Sequence, residues 1–136
     1  MNGKIRVAVA GATGKMGKEV VKMVLNDPEL ELAAAVARKD AGKDAGVLAG
    51  EATCGVTVMG DLKQALLEAK ADVLVDFTTP HSVMDHAKAA IEFGVRPVIG
   101  TTGLTSTDVE ELDRLCKERG IGGIVAPNLS IGAILM

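Results

Sequence analysis

Short apolar runs alternate along this chain with stretches in which apolar side chains recur every three or four positions. Residues 5–10, Ile-Arg-Val-Ala-Val-Ala, predict a strand. Residues 15–26 predict a helix with Met16, Val20 and Val24 on one face, stopped by Asp27-Pro28. Residues 31–37 predict a second strand, whose alanines suit burial between helices. Residues 40–60 are glycine-rich and long for a simple connection, which predicts partial order or a functional role, with a short strand at 56–58. Asp61 caps a predicted helix at 62–69, a strand follows at 73–77, and Pro80 opens a helix that runs to Phe93 and closes at Gly94. A strand at 97–99 precedes a helix at 106–119, with a Thr107-x-x-Glu110 capping box and Val109, Leu112, Leu115 and Cys116 apolar. Gly120 closes that helix, and residues 124–126 predict the last strand. Strands and helices in this alternation predict an α/β fold, doubly wound, with a mainly parallel sheet covered by helices on both faces.

Composition narrows the picture. At 136 residues, 48% of them apolar, the chain suffices for one core, and that core is aliphatic because Phe77 and Phe93 are the only aromatics. A net charge of -3 without stacking side chains argues against nucleic-acid binding. No apolar run is long enough to span a bilayer, and no secretory leader pattern opens the chain. Cys54 and Cys116 form no CxxC pair and the two histidines have no ligand spacing, which predicts a reduced, cytoplasmic protein without disulfide or zinc. Ser130 is placed to cap a further helix, but the apolar segment to Met136 has no closing signal. The expected organisation is one α/β domain over 1–129, with 130–136 as the start of a helix leading to a further domain absent from these residues.

The chemistry centres on Gly11-Ala12-Thr13-Gly14-Lys15-Met16-Gly17, which follows the first strand and opens the first helix. A pyrophosphate approaches bare backbone there, and free N–H groups meet it at the positive end of the helix dipole. Glycine spacing alone is a weak signal; placed inside a strand-turn-helix unit it predicts a Rossmann-type fold binding a nicotinamide dinucleotide. Thr13 adds a hydroxyl and Lys15 a charge. No Gly-Lys-Ser/Thr follows, so a P-loop is excluded.

Where an NAD-binding fold places a carboxylate, at the end of the second strand, this chain has Ala37-Arg38-Lys39. Two cations there suit a 2′-phosphate, which favours NADPH, with NADH as the second cofactor; a solvated basic pair is the plainer reading. Three later strand ends carry polar groups: Asp76-Phe77-Thr78-Thr79-Pro80, Gly100-Thr101-Thr102-Gly103 and Ala126-Pro127-Asn128-Leu129. Phe77 with Thr78 and Thr79 is expected beside the nicotinamide half, while Asp76 reads as an acceptor for the N–H groups that follow it. His81 and His86 read as surface or helix-packing residues, Cys116 and the methionines as core; the role of Cys54 stays open.

Taken together, Val9 to Gly17, Asp44 to Gly50, Val75 to Pro80, Gly100 to Gly103 and Asn128-Leu129-Ser130-Ile131-Gly132 resemble the amino-terminal half of the 4-hydroxy-tetrahydrodipicolinate (dihydrodipicolinate) reductase family. The Gly-Thr-Thr-Gly and Asn-x-Ser-x-Gly pair is far more specific than the glycine turn. The resemblance implies an oxidoreductase of lysine (diaminopimelate) biosynthesis that moves hydride from NAD(P)H to a cyclic unsaturated dicarboxylate. It implies cofactor contacts at Gly11, Ala12, Thr13, Gly14, Lys15 and Met16, at Arg38 beside Lys39, at Gly100, Thr101 and Thr102, and at Ala126, Pro127, Asn128 and Leu129. Thr102 also falls near the substrate carboxylate. Many members carry an acid just before the arginine, where Ala37 stands here. The family's catalytic histidine pair and lysine belong to a second, tetramer-forming domain, and no such segment occurs in these 136 residues. The chain alone is therefore expected to bind cofactor without turnover. The turn by itself also suits another two-domain dehydrogenase, of homoserine or semialdehyde type, or a non-catalytic module sensing redox cofactor.

Overall fold

The computed structural model describes residues 4–99 and 105–121, the side chains of Pro80 and His81 apart. The strand expected at 124–126 and the helix start at 130–136 lie outside the described residues. Five strands, β1 (Ile5–Ala10), β2 (Leu30–Val36), β3 (Val58–Met59), β4 (Val73–Asp76) and β5 (Arg96–Ile99), form one sheet in the order β3-β2-β1-β4-β5. Every neighbouring pair is parallel. The helices are α1 (Lys15–Asn26), α2 (Ala45–Leu48), α3 (Leu62–Ala69), α4 (Pro80–Glu92) and α5 (Ser106–Glu118). Strand order reverses at β1, so the crevice for a ligand opens at the carboxyl ends of β1 and β4.

Alternation along β1 divides the core. Val7 and Val9 share a buried cluster with Val20, Val21 and Val24 of α1. Ala8 and Ala10 pack on the other face with Leu62, Ala65 and Leu66 of α3 and Ala89 and Ala90 of α4. A slip of one residue would exchange valines for alanines on both faces. Burying each valine is worth about 1.5–3 kcal/mol, so the register is firmly held. Val83, Ala87 and Ile91 of α4 meet Leu112 and Cys116 of α5 in a third cluster. Fully buried Cys116 bears out its reading as core.

Four expectations are corrected. Met16 is 54% exposed and does not share the face of Val20 and Val24. In that first turn the inward position belongs to Gly17, whose backbone touches the turn itself. The box on α5 is Thr105 with Asp108, each side chain bonding the other's backbone N–H at 3.1 Å, not Thr107 with Glu110. Thr107 lies two positions too far in to cap, and an aspartate does the work expected of glutamate. The 40–60 segment is ordered, with α2 and a strand at Val58–Met59 pairing with Ala35 and Val36 rather than a strand at 56–58. Thr57 makes only an isolated antiparallel bridge to Asp44. Finally, β2 begins and ends one residue earlier than the pattern predicts.

Candidate functional site

The turn from β1 into α1 is anchored to β2: the N–H groups of Gly11 and Ala12 both donate to Val36 O, at 2.8 and 3.1 Å. The Gly14 N–H closes the turn on Gly11 O at 3.1 Å. The three glycines are there for three different reasons. Gly11 sits at φ +78°, where a side chain strains the backbone. A Cβ on Gly17 would stand 1.8 Å from Gly11 O, so only glycine lets α1 lie this close to the turn. Gly14 has an ordinary extended backbone, φ -77° and ψ 170°, and a Cβ there would meet only Gly11 O at 3.5 Å. Nothing in the protein's own packing demands a glycine at 14. It caps α1 without a side-chain bond, and the N–H groups of Thr13, Lys15, Met16 and Gly17 donate to no acceptor among the described residues. Unpaired amides at the positive end of a helix can receive an anion.

Beside this turn lies a cavity of about 450 Å³. Its wall takes Gly11, Thr13 and Gly14 from the turn, Arg38 and Lys39 from beyond β2, Gly60 and Leu62 from the β3–α3 junction, and Thr78, Thr79, Ser82 and His86 from β4–α4. Among the described residues no carboxylate lines it. Asp40, the nearest acid in sequence, is turned to Lys43 at 3.1 Å. Arg38 makes its contact with Ser82, Nη2 donating to Oγ at 3.4 Å. Of the other expected cofactor residues, Ala12 is buried beneath the turn, Lys15 and Met16 are exposed at the start of α1 outside the wall, and Phe77 packs into the α1-side core. Gly100, Thr101, Thr102, Ala126, Pro127, Asn128 and Leu129 lie outside the described residues.

At the end of β4, Asp76 is 2% exposed. Its Oδ1 accepts from Thr78 N at 2.8 Å and Thr78 Oγ1 at 2.6 Å, as expected of an acceptor for the following N–H groups. Its Oδ2 lies 2.8 Å from His86 Nδ1. Sequence reasoning gave His86 no carboxylate partner, because the two are ten positions apart and meet only where α4 folds back on β4. This corrects His86 from a packing residue to part of a brace joining β4, the 77–79 turn and α4. The brace matters to the turn opposite, since Thr78 Cγ2 is 3.3 Å from where a Cβ on Gly11 would be. Ser82 was also missed. Thr79 before Pro80, with serine three positions on, is a capping pattern that points to it, and Thr79 Oγ1 does accept from Ser82 N at 3.3 Å.

Asp44 organises the 40–60 segment. One oxygen accepts from the N–H groups of Val47 and Cys54, both at 3.1 Å, and the other from Gly55 N at 2.9 Å. The Cys54 amide above all, with those of Gly55 and Val47, holds its carboxyl down at about 2. Cys54 gains a role here: its thiol donates to Asp44 at 3.5 Å and its side chain packs against the α1-side core. Among the described residues no histidine, cysteine and carboxylate cluster could hold a metal ion, and no helix is long and apolar enough to cross a membrane.

A parallel sheet with this strand order, a glycine turn into α1 and a cavity at the strands' carboxyl ends define a Rossmann-type α/β domain of the dehydrogenase kind. Residues 5–129 match the family model described as dihydrodipicolinate reductase, N-terminus, and the chain belongs to that family. It is 46% identical over 134 residues, 98% of its length, to the 4-hydroxy-tetrahydrodipicolinate reductase of Desulfitobacterium hafniense (strain DSM 10664 / DCB-2), of which it covers 50%. Over 136 residues it is 46% identical to that of Syntrophomonas wolfei, covering 51% of it. The chain thus spans about half the length of the curated relatives it matches. The dipicolinate-bound dihydrodipicolinate reductase from Paenisporosarcina sp. TG-14 superposes with a TM-score of 0.76 at 41% identity, over 97% of this chain and 50% of that one. A Staphylococcus aureus homoserine dehydrogenase shares the fold alone, at 16% identity and a TM-score of 0.72. Membership in the family decides against the homoserine- and semialdehyde-type alternatives that the turn alone left open.

Proposed function

We propose that this domain binds NADPH in preference to NADH, as the cofactor half of a reductase that delivers hydride to a cyclic unsaturated dicarboxylate in lysine biosynthesis. The observation that carries the reading is Gly14. Its backbone accommodates any residue and its Cβ position is open, so the bareness of the turn answers to a ligand rather than to packing. The amides of Thr13, Lys15, Met16 and Gly17 supply donors for a pyrophosphate there. Arg38 and Lys39, with no acid among the described residues of the cavity wall, supply the charge for a 2′-phosphate. The cofactor, when bound, brings the hydride; the domain's residues bind it, orient it and shield it from water. By family membership Gly100, Thr101, Ala126, Pro127, Asn128 and Leu129 join these contacts and Thr102 reaches the substrate carboxylate, while Phe77 packs against the α1-side core.

In this reading residues 1–129 form the dinucleotide domain and 130–136 lead towards a second one. That domain binds the dicarboxylate, supplies the proton and assembles a homotetramer in the cytoplasm. The 136-residue chain binds cofactor without catalysing reduction. Calorimetric titration tests the cofactor reading. NADPH is expected to bind more tightly than NADH, and replacing Arg38 and Lys39 together by alanine to cost NADPH roughly 1.5–3 kcal/mol more than NADH. Equal loss for both cofactors overturns the 2′-phosphate assignment, and reductase turnover by the chain alone overturns the division of labour.

A further inference from the structure

Arg38 and Ser82 stand 44 positions apart, yet their contact links the end of β2 to the first turn of α4 across the cavity wall. Ser82 is itself held in place. Its N–H donates to Thr79 Oγ1 and Thr79 Oγ1 donates to Ser82 Oγ, both at 3.3 Å, and Thr79 is the N-cap of α4. The relay Arg38–Ser82–Thr79 therefore ends on a helix backbone. No carboxylate meets the Arg38 guanidinium among the described residues. The choice of partner is informative: an acid at 82 would restrain the arginine but cancel its charge and compete with an incoming phosphate. A hydroxyl restrains it and leaves the charge whole. At 3.4 Å the bond is long, so it orients the guanidinium without holding it back from a stronger acceptor.

We propose that Ser82 is a positioning residue for cofactor specificity: its hydroxyl, set by Thr79, holds Arg38 over the cavity with its remaining N–H donors turned to the 2′-phosphate of the adenosine. The inference rests on the NADPH reading above. An exposed arginine loses rotamer freedom when it binds a ligand, and restraint in advance lowers that loss. The effect falls on the phosphorylated ligand only, because the 2′-hydroxyl of the unphosphorylated one does not need the guanidinium.

The experiment is titration of the chain with 2′,5′-ADP and with 5′-ADP, for the wild type, Ser82→Ala, Ser82→Thr, Ser82→Asp, Arg38→Ala and the double alanine variant, with circular dichroism to confirm folding. Ser82→Ala is expected to weaken 2′,5′-ADP by roughly three- to tenfold and leave 5′-ADP unchanged. Ser82→Thr, which keeps the hydroxyl, restores binding; Ser82→Asp, which keeps a side chain but pairs with Arg38, weakens 2′,5′-ADP further. The double variant binds no more weakly than Arg38→Ala. Loss of both ligands alike in Ser82→Ala, or no loss, overturns the positioning role. If Arg38→Ala fails to single out 2′,5′-ADP, the NADPH reading itself falls; if it does so and Ser82→Ala does not, only the role of Ser82 falls.

Discussion

Replacing Gly14 and Gly17 in turn by alanine separates what the turn does for folding from what it does for binding. At Gly17 the new methyl would lie 1.8 Å from Gly11 O, 2.7 Å from Gly11 C and 2.9 Å from Ala12 Cα, where real contacts begin near 3.0 Å. Helix α1 and the turn must part by over an ångström, and every clashing atom is backbone, so no side chain can swing away. Overpacking a core usually costs about 1–3 kcal/mol, and this case falls at the upper end or beyond. That corresponds to roughly 10 °C in Tm for a chain of this size. At Gly14 the terms oppose. Alanine adopts φ -77°, ψ 170° freely, which stabilises by about 0.4–1 kcal/mol through the unfolded chain. Glycine is the better N-cap by a similar amount, so the net change is within about 1 kcal/mol. Binding behaves differently, because in the proposed function a methyl at 14 stands where a phosphate would meet the amides. Losing one charge-assisted bond costs about 1.5–3 kcal/mol, a ten- to hundredfold drop in NADPH affinity. Thermal unfolding and calorimetry on both variants decide the matter. A Gly14→Ala protein that binds NADPH like the wild type would refute the anion site, and a Gly17→Ala protein of unchanged Tm would refute the packing argument.

Three further outcomes follow from the geometry. Asp76→Ala is expected to destabilise by about 2–4 kcal/mol in urea unfolding, because Thr78 and His86 lose a buried acceptor; a change below 1 kcal/mol, roughly the worth of one ordinary bond, would show the brace to be idle. Burial pushes the Cys116 thiol up, and Asp113 adds to the effect, so in the native protein Cys54 should react with a thiol reagent well before Cys116; equal rates would contradict the buried α4–α5 contact. Asp44, depressed from 3.8 to about 2, stabilises its segment fully above the unfolded value. That contribution is lost as pH falls through the folded one, so the protection of the amides around Cys54 and Gly55, measured against their intrinsic exchange rates, should fall between about pH 4 and pH 2. Unchanged protection there, with the rest of the chain still folded, would count against the carboxylate as organiser.

The alternation of valine and alanine in β1 and the spacing of Val20 and Val24 in α1 are local, periodic signals, and from them the sequence determined the α/β architecture and where each layer turns. The glycine turn and the cation pair Arg38-Lys39 were legible for the same reason: their chemistry is carried by neighbours in the chain. Met16 misled because periodicity cannot show which side of a helix's first turn is filled by the backbone of the preceding loop. Only the tertiary structure could pair Asp76 with His86, Asp44 with Cys54 and Arg38 with Ser82. Asp76–His86 and Arg38–Ser82 form between residues that separate strands and helices bring to the carboxyl edge of the sheet, Asp44–Cys54 closes the 40–60 segment on itself, and no spacing rule encodes a distance that the fold itself creates. Likewise, the composition of the turn showed three glycines, while the Cβ positions showed that two serve the protein and the third leaves room for something else.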